Sequence, residues 1–286
     1  MVKIKSFAKV NLCLYVLGKR EDGYHEIFSV MQAVDLWDEL TLSKIPRGIR
    51  VECDDPKVPL DNSNLSYRAA ELLLDRVDID SGVKIKIKKK IPQAAGLGGG
   101  SSNAAFTLIG LNKLFDLGLA REDLHPIAEQ VGSDVPFFLY SGQAVARGRG
   151  ERIKEVELPK DYWIVLVKPN FKMSTYEVYK NFKIDLTKKT KKIKIRFEKK
   201  EFHKLLRNWK NDLEGEVEKN FPQIKEIKNR LRKAKAIKSQ MSGSGPTVFG
   251  IFKEKPEEKE VRKLFREDYQ VFLTKPILLG TEIFQG

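Results

Sequence analysis

Apolar and polar residues alternate along several stretches of the chain, which is typical of half-buried β-strands. The clearest stretch covers residues 3–17, and others follow at residues 30–42 and 83–87. Between them the apolar residues change to helical spacing, first in a segment that Asn64 caps and later in one that ends at Phe115. A chain that alternates strands and helices in this way predicts a mixed α and β fold.

The same alternation starts again at Tyr162, after a boundary near residues 156–161, and it predicts a second lobe. Ser174 and Glu177 have the spacing of a capping box and predict the start of a helix. The other predicted elements of this half are strands at 163–167, 247–252 and 271–274 and helices at 201–213, 222–234 and 257–265.

The composition limits the class of protein. The 286 residues are 41% hydrophobic, which suffices for a core without disulfides, and two cysteines, Cys13 and Cys53, indicate a reducing compartment. No apolar run approaches the roughly 18 residues of a membrane helix, and the N-terminus has no signal-peptide pattern. We therefore expect a cytoplasmic protein without a membrane partner. Three histidines without close Cys or His spacing predict no metal-ligating residues.

The net charge is strongly positive, at +14 from 53 basic and 39 acidic residues. Residues 183–200 hold nine basic residues against two acidic ones, in an alternation that predicts a half-buried strand with lysines facing solvent. Nucleic-acid binding needs aromatic stacking residues or a recognisable module beside such charge, and no such pattern is present, so we expect no nucleic-acid partner. A basic RNA-binding protein stays open as an alternative class, while a polyanionic small substrate accounts for part of the charge equally well.

Residues 93–103 are the most informative segment, because a Gly-rich loop follows a predicted strand and precedes a predicted helix. Glycines let backbone N–H groups approach a phosphate, and a helix N-terminus supplies unpaired donors and partial positive charge. The loop lacks the Gly-Lys-Ser/Thr of a Walker A motif and the third glycine of a dinucleotide fingerprint. It therefore predicts a polyphosphate site outside the common nucleotide folds.

Two charged residues are candidates for catalysis. Lys9 lies on an otherwise apolar strand, on the same face as Asn11, and a half-buried ammonium needs a carboxylate or a phosphate beside it. Asp134 precedes a predicted helical turn, where an N-cap and a catalytic base are both open interpretations. The two residues could be each other's partner.

Five motifs together resemble the GHMP small-molecule kinases in order and spacing: Phe7-Ala8-Lys9-Val10-Asn11, Gly23-Tyr24-His25, residues 92–103, residues 132–138 and Ser242-Gly243-Ser244-Gly245. The resemblance covers nearly the whole chain. It implies a two-lobed α+β fold, with a ribosomal-protein-S5-domain-2-like N-terminal lobe, a ferredoxin-like C-terminal lobe and the active site in the cleft between them. The implied domains are residues 1–157, rejoined by a last strand near 275–286, and residues 158–274.

The resemblance also implies roles for individual residues. Asp134 matches the catalytic base and Lys9 its charged neighbour, while ATP is the implied phosphoryl donor and Mg²⁺ the implied cofactor. Ser101 and Ser102 match positions near the phosphates and Mg²⁺. The implied nucleotide-binding residues are Asn64, Leu65, Lys89, Pro92, Gly96, Leu97, Gly98, Gly99, Gly100, Ser101, Ser102 and Asn103.

Within the family, the motifs around Asn11, His25 and Asp134 are most similar to the members that phosphorylate the 2-hydroxyl of 4-diphosphocytidyl-2-C-methyl-D-erythritol in the non-mevalonate isoprenoid pathway. The implied substrate-binding residues are Asn11 and Thr175 together with Tyr24, His25 and Tyr179, which match the positions around the cytosine. A GHMP kinase of the mevalonate or homoserine type is the nearest alternative. A monomer and a homodimer are both left open.

Two further features concern the Gly-rich loop of residues 93–100, which is called the phosphate loop below after its predicted ligand. Gln93-Ala94-Ala95 stand where similar proteins often have glycines, which predicts a stiffer start of the loop. The resemblance implies that Ser242 to Gly245 packs beside the loop. Both expectations concern backbone geometry and can be compared directly with the structure.

Overall fold

The computed structural model of the protein describes residues 1–77, 79–182 and 202–280. The strands are β1 (Val2–Lys19), β2 (His25–Ile45), β3 (Ile49–Cys53), β4 (Gly82–Lys88), β5 (Gln143–Gly148), β6 (Arg152–Glu155), β7 (Trp163–Lys168), β8 (Lys238–Met241), β9 (Val248–Phe252) and β10 (Gln270–Thr274). The helices are α1 (Leu65–Val77), α2 (Gly99–Phe115), α3 (Arg121–Val131), α4 (Thr175–Asn181), α5 (Phe202–Asn208), α6 (Glu214–Asn220), α7 (Pro222–Lys233) and α8 (Glu258–Lys263), with a 3₁₀ helix at Pro136–Leu139.

The first lobe contains a six-stranded sheet built around β2. β1 pairs antiparallel with one edge of β2, while β4 and β5 pair with the two ends of the other edge. β3 and β6 extend the sheet beyond β4 and β5. Helices α1, α2 and α3 supply the apolar residues that pack on this sheet, and every residue of α2 from Ser102 to Asn112 is buried. The phosphate loop therefore leads into the central helix of the lobe.

The second lobe contains a four-stranded antiparallel sheet in the order β10-β7-β9-β8. Helix α7 packs on it through Ile224, Ile227 and Leu231, as its apolar spacing predicts. The prediction of one helix over 201–213 is wrong, because α5 ends at Asn208. The backbone then pairs with β1, where Leu14 N–H donates to the Lys210 carbonyl at 2.8 Å. The predicted strand within residues 183–200 lies outside the described residues.

The two lobes share a hydrophobic core. Ala8, Val10 and Leu12 on β1 belong to the same buried cluster as Ile164 on β7 and Phe249 on β9. Burial of this shared surface fixes β1, a strand of the first sheet, against the second sheet, and β1 carries the candidate catalytic lysine. No helix in the described part of the chain combines the length and apolarity that a membrane span requires.

Residues 275–280 return to the first lobe. Asp35 N–H donates to the Lys275 carbonyl and Ile277 N–H donates to the Ala33 carbonyl, both at 3.0 Å. Leu279 N–H donates to the Ser141 carbonyl at 2.8 Å. The described part of the predicted last strand thus lies beside β2, whereas residues 281–286 lie outside the described residues.

Candidate active site

A cleft of about 1360 Å³ lies between the lobes. Its walls come from β1, the turn before β2, the phosphate loop and the start of α2 in the first lobe, and from α4 and residues 243–244 in the second. The predicted residues that line it are Lys9, Asn11, Tyr24, His25, Asn64, Leu65, Lys89, Pro92, Gly96, Leu97, Gly98, Gly99, Gly100, Ser101, Asn103, Asp134, Thr175 and Tyr179.

Ser102 is the predicted residue that the structure places elsewhere. Its side chain is fully buried beneath α2, with its Oγ 2.7 Å from the Ser6 Oγ. Successive residues of a helix point about 100° apart, and here Ser101 lines the cleft while Ser102 faces the core. Ser101 keeps the predicted place in the cleft, and Ser102 serves the core.

The phosphate loop adopts a backbone that only glycine accommodates easily. Gly96 and Gly98 have φ angles of 73° and 69°, in the left-handed region, and α2 begins directly afterwards at Gly99. The first N–H groups of α2 have no partner within the helix, so they are donors for an anion in the cleft. Ala94 also has a positive φ, of 47°, so the substitution at the start of the loop keeps a glycine-like conformation.

Ser242 to Gly245 packs against the phosphate loop, as expected. The Ser242 Oγ donates to the Gly96 carbonyl at 2.8 Å, and a Cβ added to Gly96 would lie 2.1 Å from the Ser242 carbonyl oxygen. The same hydroxyl accepts from the Asn11 N–H at 3.2 Å. A segment of the second lobe therefore holds the loop and β1 together.

Lys9 and Asp134 form an ion pair in the cleft. The Lys9 Nζ lies 3.0 Å from the Asp134 Oδ2, and the exposed fractions of the two side chains are 3% and 32%. The 3₁₀ helix after Asp134 has no side-chain cap, so the carboxylate is directed at Lys9 rather than used as an N-cap. The pair fulfils the need of a buried ammonium for an opposite charge, and it leaves the carboxylate accessible.

Asn11 orients the lysine through a chain of hydrogen bonds that sequence reasoning did not reveal. The Lys9 Nζ donates to the Asn11 Oδ1 at 2.6 Å, and the Asn11 Nδ2 donates to the Ser29 Oγ at 2.8 Å. Ser29 in turn donates to the Cys13 carbonyl at 2.7 Å. The available signal was a serine inside the apolar run of β2. Because Ser29 accepts from the amide nitrogen, the Asn11 oxygen must face the ammonium.

Three aromatic rings lie at the other end of the cleft. The His25 and Tyr179 rings are in contact, with centroids 5.3 Å apart and planes at 33°. Burial, together with the nearby charge of Lys19, lowers the pKa of His25, so its imidazole is neutral at physiological pH. Tyr24 is 52% exposed, and the Arg149 guanidinium lies 4.9 Å from its ring centroid. Sequence reasoning missed Arg149, since nothing in its local pattern distinguishes it from other surface arginines.

Burial and the Asp134 carboxylate both raise the pKa of Tyr179, so its hydroxyl stays protonated. Tyr179 and Asp134 line the same cleft. Thr175 also joins the site, with its Oγ1 2.8 Å from the Ser244 Oγ. Helix α4 thus brings Thr175 and Tyr179 to the cleft from the second lobe.

Comparison with known proteins gives this geometry a family. The family model described as the GHMP kinases N terminal domain matches residues 64–142, and the one described as GHMP kinases C terminal matches residues 196–270. The chain belongs to the GHMP kinase family. Members of the family are ATP-dependent kinases, so ATP is the phosphoryl donor of this GHMP kinase.

Individual relatives are similar to this GHMP kinase over nearly its full length. A 4-diphosphocytidyl-2-C-methyl-D-erythritol kinase of Clostridium botulinum (strain Kyoto / Type A2) is 42% identical over 277 residues, which cover 96% of this chain and 99% of the relative. A crystal structure of a 4-(cytidine 5'-diphospho)-2C-methyl-D-erythritol kinase is 32% identical, with a TM-score of 0.79 and coverage of 96% of this chain and 99% of that one.

A homoserine kinase of Cytophaga hutchinsonii shares the fold at a TM-score of 0.75 but only 19% identity, covering 96% of this chain and 95% of its own. Such a likeness shows the architecture alone. The two-lobed α+β GHMP fold is therefore confirmed, while the acceptor must be argued from the more similar relatives and from the residues of the cleft.

Proposed function

We propose that this GHMP kinase transfers the γ-phosphoryl group of ATP to the 2-hydroxyl of 4-diphosphocytidyl-2-C-methyl-D-erythritol, a step of the non-mevalonate isoprenoid pathway. The observation that carries the proposal is a single cleft that joins a Lys9–Asp134 pair at 3.0 Å to a phosphate loop and to the rings of Tyr24, His25 and Tyr179. The names of the relatives at 40–42% identity support the choice of acceptor.

Asp134 and Lys9 suffice as the reacting groups of the protein. The acceptor oxygen attacks the γ-phosphorus, the bond between that phosphorus and the oxygen of the leaving ADP breaks, and the hydroxyl proton passes to the Asp134 carboxylate. Lys9 stabilises the negative charge that develops on the attacking oxygen. Phosphoryl transfer depends mainly on positioning and charge neutralisation, and the two acceptors of Lys9 fix where its ammonium lies.

Mg²⁺ fits the residues at the phosphate loop as a partner of the nucleotide. The described residues contain no cluster of three or more His, Cys, Asp or Glu side chains that could hold a metal by themselves. Mg²⁺ keeps several water ligands and is held mainly by phosphates with one or two protein oxygens, and the Ser101 hydroxyl lines the cleft as such an oxygen. When bound, the ion would neutralise charge on the transferred phosphoryl group.

The aromatic end of the cleft suits a cytosine. The neutral imidazole of His25 offers one donor and one acceptor, which complements the Watson–Crick edge of the base. Tyr24 and Tyr179 offer ring faces for stacking. A site whose polar groups hydrogen-bond the cytosine rejects acceptors that lack the base, because those polar groups would then have no partner.

The test is ADP release from Mg·ATP with 4-diphosphocytidyl-2-C-methyl-D-erythritol, measured for the native chain and for Asp134→Asn. We expect turnover by the native chain and a loss of about a thousandfold or more in kcat for the variant, with the affinity for ADP retained. A native chain that is silent with this acceptor but active on another alcohol would keep the family and overturn the acceptor. Turnover by Asp134→Asn at the native rate would overturn the base.

A further inference from the structure

The Asp38 carboxylate binds residues on both sides of the phosphate loop, although Asp38 lies outside every sequence motif. Asp38, on β2, is fully buried. Its Oδ1 accepts from the backbone N–H groups of Lys90 at 2.7 Å and Ile91 at 2.8 Å. Its Oδ2 accepts from the Lys89 ammonium and from the Asn103 Nδ2, the latter at 2.9 Å. One side chain therefore binds four donors.

These donors come from both sides of the phosphate loop. Residues 89–91 follow β4 and lead into the loop, whereas Asn103 lies in α2 and follows the loop. The Asn103 Oδ1 also accepts from the Lys89 Nζ at 3.0 Å, and its Nδ2 donates to the Ser6 Oγ at 2.9 Å. Glycines favour no single backbone conformation, so the anchors at the two ends determine which one the loop adopts.

The charges in this cluster explain the orientation of Lys89. A buried carboxylate is costly unless it is paired and hydrogen-bonded, and the Lys89 ammonium supplies the opposite charge to Asp38. The side chain of Lys89 is only 8% exposed. If this ammonium turned to a nucleotide, Asp38 would remain buried without its counter-ion. The predicted role of Lys89 in nucleotide contact therefore conflicts with its observed partners.

We infer that Asp38 is a positioning residue for nucleotide binding, which holds the two ends of the phosphate loop in register, and that Lys89 is its counter-ion rather than a nucleotide ligand. The inference rests on the proposed function, because it takes ADP and ATP as the ligands of the loop. Both nucleotide and acceptor affinities can be measured without turnover, so a wrong acceptor does not obscure the result.

The test measures the affinities of ADP and CDP by calorimetry for the native chain, Asp38→Asn and Asn112→Ala. Asp38→Asn keeps the shape but places an amide against the donors of Lys89 and Asn103, and we expect ADP to bind about tenfold more weakly or worse while CDP changes less than about twofold. Asn112→Ala is the matched control. Asn112 lies near the end of α2, far from Asn103, and its replacement removes two hydrogen bonds to Leu119. Both affinities should stay unchanged.

The double variant Asp38→Asn with Lys89→Met separates the two roles of Lys89. Breaking a buried ion pair is costly, whereas replacing both members by neutral residues often is not. We therefore expect the double variant to recover most of the ADP affinity lost in the single variant. An ADP affinity lower than that of the single variant would make Lys89 a nucleotide ligand and overturn the inference.

The remaining outcomes also decide the matter. ADP binding by Asp38→Asn within about twofold of native, or an equal loss of ADP and CDP affinity, would overturn the positioning role. If the single variant does not fold, a folded double variant with native ADP affinity supports the inference, and failure of both to fold overturns it. A native chain that binds no ADP would instead refute the proposed kinase function.

Discussion

The ionisation of His25 can be tested by varying the pH. Burial and Lys19 lower its pKa, so the folded protein resists protonating this imidazole more than the unfolded chain does. The unfolded state then binds the proton first as the pH falls, and the contribution of His25 to stability is present above its unfolded pKa and lost towards acid. The same proton removes the acceptor nitrogen that the proposed cytosine contact uses.

We therefore expect the KM for the cytidine-containing acceptor to rise as the pH falls from about 8 to about 5, while the KM for ATP stays nearly constant. His25→Gln keeps one donor and one acceptor without a titration in this range, so its acceptor KM should be higher but flat. Steady-state kinetics across the range measures both. An identical pH profile for acceptor KM in the native chain and His25→Gln would show that another group is responsible.

Individual site residues could be predicted from the sequence where residue type and spacing together allow few structural roles. A lysine on an apolar strand needs a partner, which identified Lys9, and the structure supplies Asp134 as that partner. Ser29 and Asp38 could not be found in the same way. Both lie within buried β2, and their roles depend on donors from segments that are distant in sequence.

Among the elements, the phosphate loop has little room for a side chain at Gly96. Gly96 combines a φ of 73° with a carbonyl oxygen 2.1 Å from any added Cβ, so alanine there meets both backbone strain and a backbone clash. Gly118 has a φ of 61° but no atom within 4 Å of the same added carbon. Alanine at Gly118 therefore tests backbone strain alone, whereas alanine at Gly96 tests backbone strain together with a steric clash.

We expect Gly96→Ala to weaken ADP binding by about tenfold or more, because the loop must shift away from Ser242 to admit the methyl group. Gly118→Ala should cost only about 1–2 kcal/mol of stability from its left-handed backbone and leave ADP affinity native. Calorimetric titration and thermal unfolding of both variants measure the difference. Equal ADP affinities for the two variants would mean that the loop tolerates displacement.

Elements were predictable where periodicity is strong. The strand over 3–17 and the helix that ends at Phe115 occur as β1 and α2. The prediction of a helix over 201–213 is wrong because helical spacing does not reveal the backbone hydrogen bonds that residues 210–212 make with Leu14 of β1. Asn211 fixes that segment instead, with its Nδ2 donating to the carbonyls of Met241 at 2.9 Å and Gly243 at 2.7 Å. Long-range hydrogen bonds of this kind override local propensity.

In the whole molecule, the two lobes are joined by a shared apolar core and by the return of the chain to the first lobe. β1 contributes one face to that core and one ionic side chain to the cleft, so the proposed catalytic lysine and the lobe interface depend on the same strand. The boundary between the lobes near residues 156–161 stays a prediction. The extent of their common core could not be predicted, because alternation alone does not indicate which apolar faces meet.

The return of the chain predicts where its C-terminal segment adds stability. Leu279 is 4% exposed and belongs to the core of the first lobe, where it lies against Gly142, whereas its neighbour Leu278 is 48% exposed. Leu279→Ala should lower the free energy of unfolding by about 2–5 kcal/mol, because it removes buried carbons and leaves a cavity. Leu278→Ala is the matched control, and its effect should stay within about 0.5 kcal/mol.

Chemical denaturation of both variants measures this difference in the free energy of unfolding. Repeating it with ADP shows whether the loss of stability involves the nucleotide site. If the segment serves the first lobe, ADP should protect Leu279→Ala against unfolding as it protects the native chain, because the phosphate loop itself is unchanged. Equal stabilities for the two variants would contradict the packing of residues 275–280 against β2. Loss of ADP protection in Leu279→Ala alone would instead link the returning segment to the nucleotide site.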